Sequence, residues 1–401
     1  MHRFALAAAS AAIILVAPHA ARAQRPVTRA DAVAAALAHG PRLPLAAADT
    51  SAAHAALLGA RAYANPSLNL SVTKDAPQRH IYADIPLDFP WLRSARIASA
   101  AAARQSALDQ FAVQRAAVTF DAETTYVNAV VADARARLSR DNARDADSLR
   151  RIAVTRRDAG DASDLDVELA TIVAGQLENA ALADSLTAVA ALLDLQTVMG
   201  ETSGNVRISL ADTLSLSDTT LASADATPFA VRAAQQDVVA ADQAVIAQQR
   251  SVWGSASLQL GVDFHDPAQS GLLPLVGIAI PLPLFNRNGS GVAAAQAERD
   301  RARAQLRLIQ LETQRDIARV TEARAIALQR VARDRTLLAS ANRVATMSLT
   351  AFREGAAPLA TVLQAQSNAR DTLGQYILDV GAANGAAAAL RLLTASAPRI
   401  P

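Results

Sequence analysis

The sequence predicts a mainly α chain with a membrane β-barrel portion, built by internal duplication. Three observations lead there. Two stretches, Trp91–Ala159 and Val292–Glu354, contain neither Gly nor Pro and are rich in Ala, Arg, Leu and Gln, which favour helix. At 1.5 Å rise per residue each makes a rod of roughly 100 Å. The chain also repeats: Ile85-Pro86-Leu87 returns as Ile280-Pro281-Leu282, an offset of 195 (280 − 85). Finally, each rod follows a pair of short segments in which apolar and polar residues alternate, the period of a strand with one face in an apolar medium.

The elements follow in order. Residues 1–23 read as a secretory leader: Arg3 supplies the positive start, Phe4–Ala17 is apolar, and Ala21-Arg22-Ala23 is a small-residue cleavage site. Cleavage leaves Gln24 first and implies export. Residues 24–200 form the first structural repeat: a helix carrying His39 and His54, strands at about 65–75 and 79–90, a long helix over 91–159, a turn at Gly160 and a helix over 163–200. Residues 201–227, rich in Ser, Thr and Asp, read as a linker or small peripheral segment. The second repeat, 228–395, runs through a helix, strands at about 254–265 and 273–285, a long helix over 290–354, a turn at Gly355 and a helix over 358–394; 396–401 is a tail. Arg157-Asp158-Ala159-Gly160 resembles Phe352-Arg353-Glu354-Gly355 at the same offset.

The strands carry the clearest pattern. Leu68, Leu70 and Val72 alternate with Asn69, Ser71 and Thr73, and Leu258, Leu260 and Val262 alternate with Gln259, Gly261 and Asp263. The returning strand Ile81–Phe89 keeps the same alternation, as do Val276, Ile278 and Ile280. Leu68, Leu70, Val72, Leu258, Leu260, Val262, Ile278 and Ile280 are therefore the candidate lipid-facing residues. Half of the aromatics, among them Tyr63, Trp91, Trp253 and Phe285, flank these strands as interfacial girdles do. Four strands cannot close a barrel, since the smallest have about eight, and open edges in lipid leave backbone groups unpaired. Membrane strands here thus require several copies of the chain. In the long helices, Val113, Phe120 and Val127 recur every seven residues, as do Val131 and Leu138, and Leu337 and Val344, while Ala fills many other seam positions.

Composition excludes several functions. Arg3 and Arg22 fall in the leader; without them basic and acidic residues balance (39 − 2 against 37), so no nucleic-acid partner follows from charge. The absence of Cys removes disulfides, thiolate metal sites and a lipidated N-terminal Cys. Past the leader, no apolar run is read as approaching the ~20 residues of a membrane helix. His80 and His265 lie near the strand hairpin loops with Asp75 and Asp266, as isolated loop residues rather than a metal set. There is no phosphate-binding loop, nucleophile elbow or zinc-protease motif, so neither an enzyme nor a cofactor is expected.

The stretch Ile280-Pro281-Leu282-Pro283-Leu284-Phe285-Asn286-Arg287-Asn288-Gly289 resembles the strand-to-helix junction of TolC-like outer membrane efflux proteins, especially the branch that serves heavy-metal and RND-type pumps. Phe352–Leu363 resembles that family's second periplasmic helix turn, and Arg157–Val167 the first. The resemblance covers the mature chain and its duplication. It implies a homotrimer in which each chain gives four strands to a 12-stranded β-barrel and its long helices to an α-barrel. Such a trimer sits in the outer membrane of a Gram-negative-type bacterium and extends into the periplasm. It is the passive exit duct for small molecules or metal ions, with a periplasmic adaptor and an inner-membrane transporter of RND type as partners. The alternative from the same hairpins is a periplasmic adaptor or scaffold.

The resemblance also implies roles. Gly160 and Gly355 close the periplasmic tip, and Arg157, Asp158, Asp161, Arg353 and Glu354 flank it where adaptors dock. Some members narrow the tip with carboxylates six and nine residues after the second glycine; here those positions are Thr361 and Gln364. Asp164 and Asp166 beside the first turn are the remaining candidates for pore-tip charges, with helix capping as the competing role.

Overall fold

The computed structural model describes residues 25–201, 205–206, 208–216, 227–253, 256–264, 271–280 and 282–395. The expected leader 1–23 and tail 396–401, His265 and Asp266 lie outside them.

The spine is α3, Pro90–Asp158, a helix of 69 residues with Pro in its first turn, where the missing N–H costs nothing. It is followed by α4, Asp164–Val198, which packs along it. The second half repeats this with α6, Gly289–Arg353, and α7, Leu359–Thr394. Shorter helices complete each long one: α2, Leu43–Arg61, lies along α3, and α5, Phe229–Arg250, along α3 and α6.

The short helices meet end to end with the returning ones. Gly200, just past α4, has φ +83° and touches the end of α1 (Arg29–His39), where an added Cβ would sit 2.3 Å from the His39 carbonyl oxygen. In the other half the Phe229 N–H donates to the Ala395 carbonyl past α7 at 2.9 Å. Each long helix is thus flanked by two shorter ones in line.

The packing is thin. Along the middle of the α3–α4 seam the buried residues are Ala132, Ala136 and Ala188, small enough for backbones to approach closely. On α3 the buried line runs through Val118, Ala122, Tyr126, Ala129 and Ala136. The heptad expected from Val113, Phe120 and Val127 is only partly this line: Val113 and Phe120 are half-buried. On α6 the buried residues include Val320, Ala327, Val331 and Asp334, whereas Leu337 and Val344 are about half exposed. Their seven-residue spacing reports a different face of the helix from the one that meets α7.

Three further differences from the sequence reading have physical causes. The single first helix is two, broken at Gly40-Pro41, so His39 and His54 lie on different helices. A Cβ on Gly40 would lie 2.2 Å from the Ala36 carbonyl oxygen. The region 201–227 holds a strand: β4, Ile208–Leu210, pairs in parallel with β1, Arg25–Val27. Such a pair of three-residue strands leaves no period-two signal in the sequence. Lastly, α4 and α7 each contain an 18-residue window apolar enough to cross a membrane, with mean hydropathy 1.3 and 1.2. That apolarity comes from Ala and Leu, partly buried on α7 and mostly exposed on α4.

Tyr126, midway along α3, ties the β1–β4 pair to the spine. It is 2% exposed, in a cluster with Val27, Leu195, Met199 and Ile208. Its hydroxyl lies 3.0 Å from the Val27 carbonyl and 2.9 Å from the Asp212 carboxylate, which also accepts the Arg29 N–H at 3.0 Å. Burial, together with the hydrogen bond to Asp212, raises the phenol well above its ordinary pKa, so it remains a donor. Tyr126→Phe leaves the buried Val27 carbonyl and Asp212 without that donor. A loss of about 1–2 kcal/mol is expected, read as faster hydrogen exchange in β1 and β4 with the hairpin tips unchanged. Uniform loosening along α3 would count against this local role.

Candidate functional site

Two surfaces lie at opposite ends of the long helices: a four-stranded sheet and a pair of helix turns.

The sheet has strand order β2-β3-β5-β6, all antiparallel, with β2 Ser67–Val72, β3 Arg79–Pro86, β5 Ser257–Phe264 and β6 Leu273–Ala279. Register decides which side chains share a face. Leu68 pairs with Ala83, Ala83 with Leu260, and Leu260 with Val276. The next rows on that face are Leu70–Ile81–Val262–Pro274 and Ile85–Leu258–Ile278. One face is therefore continuous apolar surface crossing both repeats. It is open: Leu68, Leu70, Val72, Val276 and Ile278 are each more than three-fifths exposed, Leu260 is 41% exposed, and Leu258 and Val262 are half-buried.

Ile280 is a correction in detail. It is exposed but lies one residue past β6, so it belongs to the apolar surface without belonging to the ladder. Pro281 and Pro283 follow, and neither has an N–H to continue the pairing.

The opposite face is polar and bonded within itself. Asn69 donates to Asp84 at 2.8 Å; His80 Nδ1 lies 2.8 Å from Asp263, and its Nε2 lies 3.2 Å from the Thr73 hydroxyl. The His80–Asp263 pair joins the two repeats and was not read from the sequence, since it depends on β3–β5 register. Gly261 sits against Tyr82 on this face, where a Cβ would come within 2.5 Å of Tyr82 Cβ. On β6 this face carries Leu273 and Leu275, so alternation there is weaker. Among the described residues no three His, Cys, Asp or Glu side chains come together as a metal set.

At the other end, Gly160 and Gly355 have φ +82° and +76°. Each closes the same turn. Gly160 N–H donates to the Arg157 carbonyl and Asp161 N–H to that of Arg156; Gly355 N–H donates to Phe352 and Ala356 N–H to Ala351. These are the paired bonds of a left-handed glycine helix ending. Around them lies a buried cluster of Leu149, Ala153, Val167, Ala170, Phe352, Leu359 and Val362, drawn from both hairpins.

Arg156 locks the two turns together, and the sequence reading missed it in favour of its neighbour. Its Nη1 donates to the Phe352 carbonyl at 2.6 Å and its guanidinium lies over the Phe352 ring at 4.7 Å. Phe352 in the second half takes the place of Arg157 in the first, so the duplication itself hides this cross-repeat contact. Arg157 instead points to Asp158 at 2.7 Å, with Asp164 at 3.9 Å; the Asp158 hydrogen bond raises its pKa further. Asp158, Asp161, Arg353 and Glu354 are exposed.

The two candidate tip carboxylates differ. Asp166 is engaged in a capping box: its carboxylate accepts the Ser163 N–H at 3.1 Å while the Ser163 hydroxyl accepts the Asp166 N–H. Asp164 has a side chain 90% exposed. In the second turn Thr361 and Gln364 are exposed.

No protein-family model matches the chain, and no curated protein does. Solved structures do share its fold. CusC, described for its transmembrane channel formation, aligns over 92% of this chain and 92% of its own with TM-score 0.77 at 15% identity. The outer membrane protein VceC from Vibrio cholerae covers 92% of this chain and 96% of its own, with TM-score 0.75 and 18% identity. The Campylobacter jejuni CmeC outer membrane channel covers 91% and 85%, with TM-score 0.79 and 14% identity. The TolC-like resemblance read from the residues therefore holds for the fold along nearly the whole chain.

Two substitutions test the tip. Gly355→Ala is expected to cost about 1 kcal/mol from the left-handed backbone alone, because nothing but the Arg156 guanidinium comes within 4 Å of an added Cβ. Arg156→Ala removes the inter-turn bonds and should cost roughly 1–2 kcal/mol. Both should speed exchange in the two turns and leave the sheet unaffected; an Arg156→Ala effect confined to the first turn would contradict the clamp.

Proposed function

We propose that this chain is a passive outer-membrane exit duct, assembled as a trimer, for small molecules or metal ions leaving through a tripartite pump. One observation carries the reading: a single open sheet with an apolar face across both repeats is joined to two helical hairpins of membrane-crossing-complex length. A sheet that ends in β2 and β6 has two unpaired edges. In lipid each unpaired backbone group is costly, and edge pairing of β6 with β2 of the next copy removes both edges at once. Three copies then give twelve strands, with the polar face carrying Asn69, His80, Tyr82 and Asp263 turned inward to water. Leu68, Leu70, Val72, Leu258, Leu260, Val262, Ile278 and Ile280 face lipid.

The hairpins, roughly 100 Å long, reach through the periplasm. At their tip Gly160 and Gly355 hold the turns, and Arg157, Asp158, Asp161, Arg353 and Glu354 offer the charges an adaptor meets. The inner-membrane transporter, of RND type, supplies the energy. Asp164, free of the cap that engages Asp166, is the carboxylate that three copies would gather into a ring, where a focused field concentrates cations. Conduction needs no covalent step and no cofactor. The adaptor alternative fits less well, because one sheet built from both repeats leaves no separate β-rich halves around a hairpin.

Fractionation with crosslinking tests this. A homotrimer in the outer-membrane detergent fraction is expected, and recovery as a soluble periplasmic monomer would sink the reading. Leu258→Asp with Leu260→Asp places charge on the lipid face, at a cost of up to roughly 2 kcal/mol each. It should block insertion, while Gln259→Asp on the opposite face should not. Normal assembly of the double variant would refute the facing.

A further inference from the structure

The offset of 195 relates the hairpins residue by residue, so a buried position at which they differ is informative. In the first hairpin, Asp184 of α4 accepts a hydrogen bond from the Ser139 hydroxyl of α3 and is paired with Arg135 at 3.6 Å. The offset carries Arg135, Ser139 and Asp184 onto Arg330, Asp334 and Asp379 (330 − 135, 334 − 139 and 379 − 184 are each 195). Asp379 of α7 keeps its arginine, Arg330 at 2.6 Å, and gains the Gln375 amide at 3.1 Å. The hydroxyl donor, however, has become a second carboxyl group.

Both acids are deep in the seam: Asp334 is 8% and Asp379 3% exposed. The Oδ2 atoms of both are buried and have no hydrogen-bond partner. Two ionised carboxylates offer acceptors only, and like charges placed together in a desolvated seam repel. One proton changes this: it turns one carboxyl into a donor from which the other can accept. A divalent cation is disfavoured there, since Arg330 already neutralises Asp379.

We infer that Asp334 is a buried proton-binding site that donates to Asp379, so the α6–α7 seam carries a carboxyl–carboxylate hydrogen bond where the α3–α4 seam carries a hydroxyl–carboxylate one. The surroundings agree. Burial first, then the hydrogen bond and charge of Asp379, hold the Asp334 carboxyl above its ordinary range, against the opposing pull of Arg330 and Arg333. From α3, which also packs on α7, apolar Val131 lies against Gly381, two residues past Asp379. The Arg370 and Asp371 charges of α7, with Asp145 of α3, lie eight or nine residues closer to the tip.

The sign follows from linkage. The folded seam binds the proton more tightly than the unfolded chain does. Its stabilisation is full below the unfolded Asp pKa and is lost as pH rises toward and through the raised folded one. The α6–α7 seam therefore carries a proton-dependent contact at the position where the α3–α4 seam has the Ser139 hydroxyl, which makes the two struts of one chain unequal.

Hydrogen exchange of the full chain in detergent, followed from about pH 4, near the unfolded Asp value, up to about 8 and corrected for the intrinsic exchange rate, tests this with an internal control. Peptides around Asp334 and Asp379 should open more readily as pH rises, by roughly tenfold for each unit by which the pKa is raised. Those around Ser139 and Asp184 should stay level. Asp334→Asn supplies a permanent donor and should abolish the slope in the second hairpin. Asp334→Ser, which copies the first hairpin, should do the same if the Asn variant fails to assemble. Equal slopes in both wild-type hairpins, no slope in either, or a slope that survives these substitutions would overturn the assignment.

Discussion

Everything in this chain depends on helices packing through alanine. A seam of Ala132 and Ala136 against Ala188, continued by Ala122 beside Ala36 and by Ala129 beside Ala32, brings backbones close but buries little area per residue. No thick core forms, and stability has to be gathered along length instead. Long helices are then favoured over many short ones, because each added turn adds contact without a new loop to close. The larger clusters lie where the thin seam needs reinforcement, around Tyr126 at mid-height and around Phe352 at the tip. A wall results in place of a globule, and walls are what several copies can assemble into a tube.

The same constraint accounts for the exposed apolar side chains. Leu182 and Leu186 on α4 and Leu311 and Met347 on α6 are each about two-thirds or more exposed in the single chain. On a monomeric soluble protein so much open apolar surface is unusual. Together with the open sheet face, it gives two kinds of open apolar surface, which in the proposed trimer lipid covers at the strands and neighbouring copies cover along the helices.

The periodic part of this architecture was legible in the sequence. Gly-free runs mark the long helices, period-two alternation marks the sheet faces, and glycines at a fixed offset mark the turns, because each of these is a local rule. What escaped was the non-local part. The β1–β4 pair is too short to show a period. The His80–Asp263 contact needs strand register between repeats. Arg156 acts through a carbonyl in the other half of the chain, and the heptads at Leu337 and Val344 lie on a face that turns away from their own hairpin partner. At the tip, the sequence left Asp164 and Asp166 equivalent; only the capping bonds from Ser163 separate them.

Duplication explains both the legibility and the blind spots. A repeated sequence constrains two hairpins to one geometry, so common features stand out twice. Differences between them are where the chain departs from its own symmetry. Phe352 standing where the first half has Arg157 puts an aromatic ring beneath the Arg156 guanidinium, which also bonds the Phe352 carbonyl across the tip. Asp334 standing where the first half has Ser139 places a second acid in a seam that keeps the arginine–aspartate pair of the first. Both changes sit in positions that cannot be solvated away, Phe352 at 4% and Asp334 at 8% exposure, so each must be answered by a partner within the fold. At these two buried positions the hairpins, alike in length and turn geometry, are not equivalent, and the second answers each change with a partner drawn from within the chain's own fold.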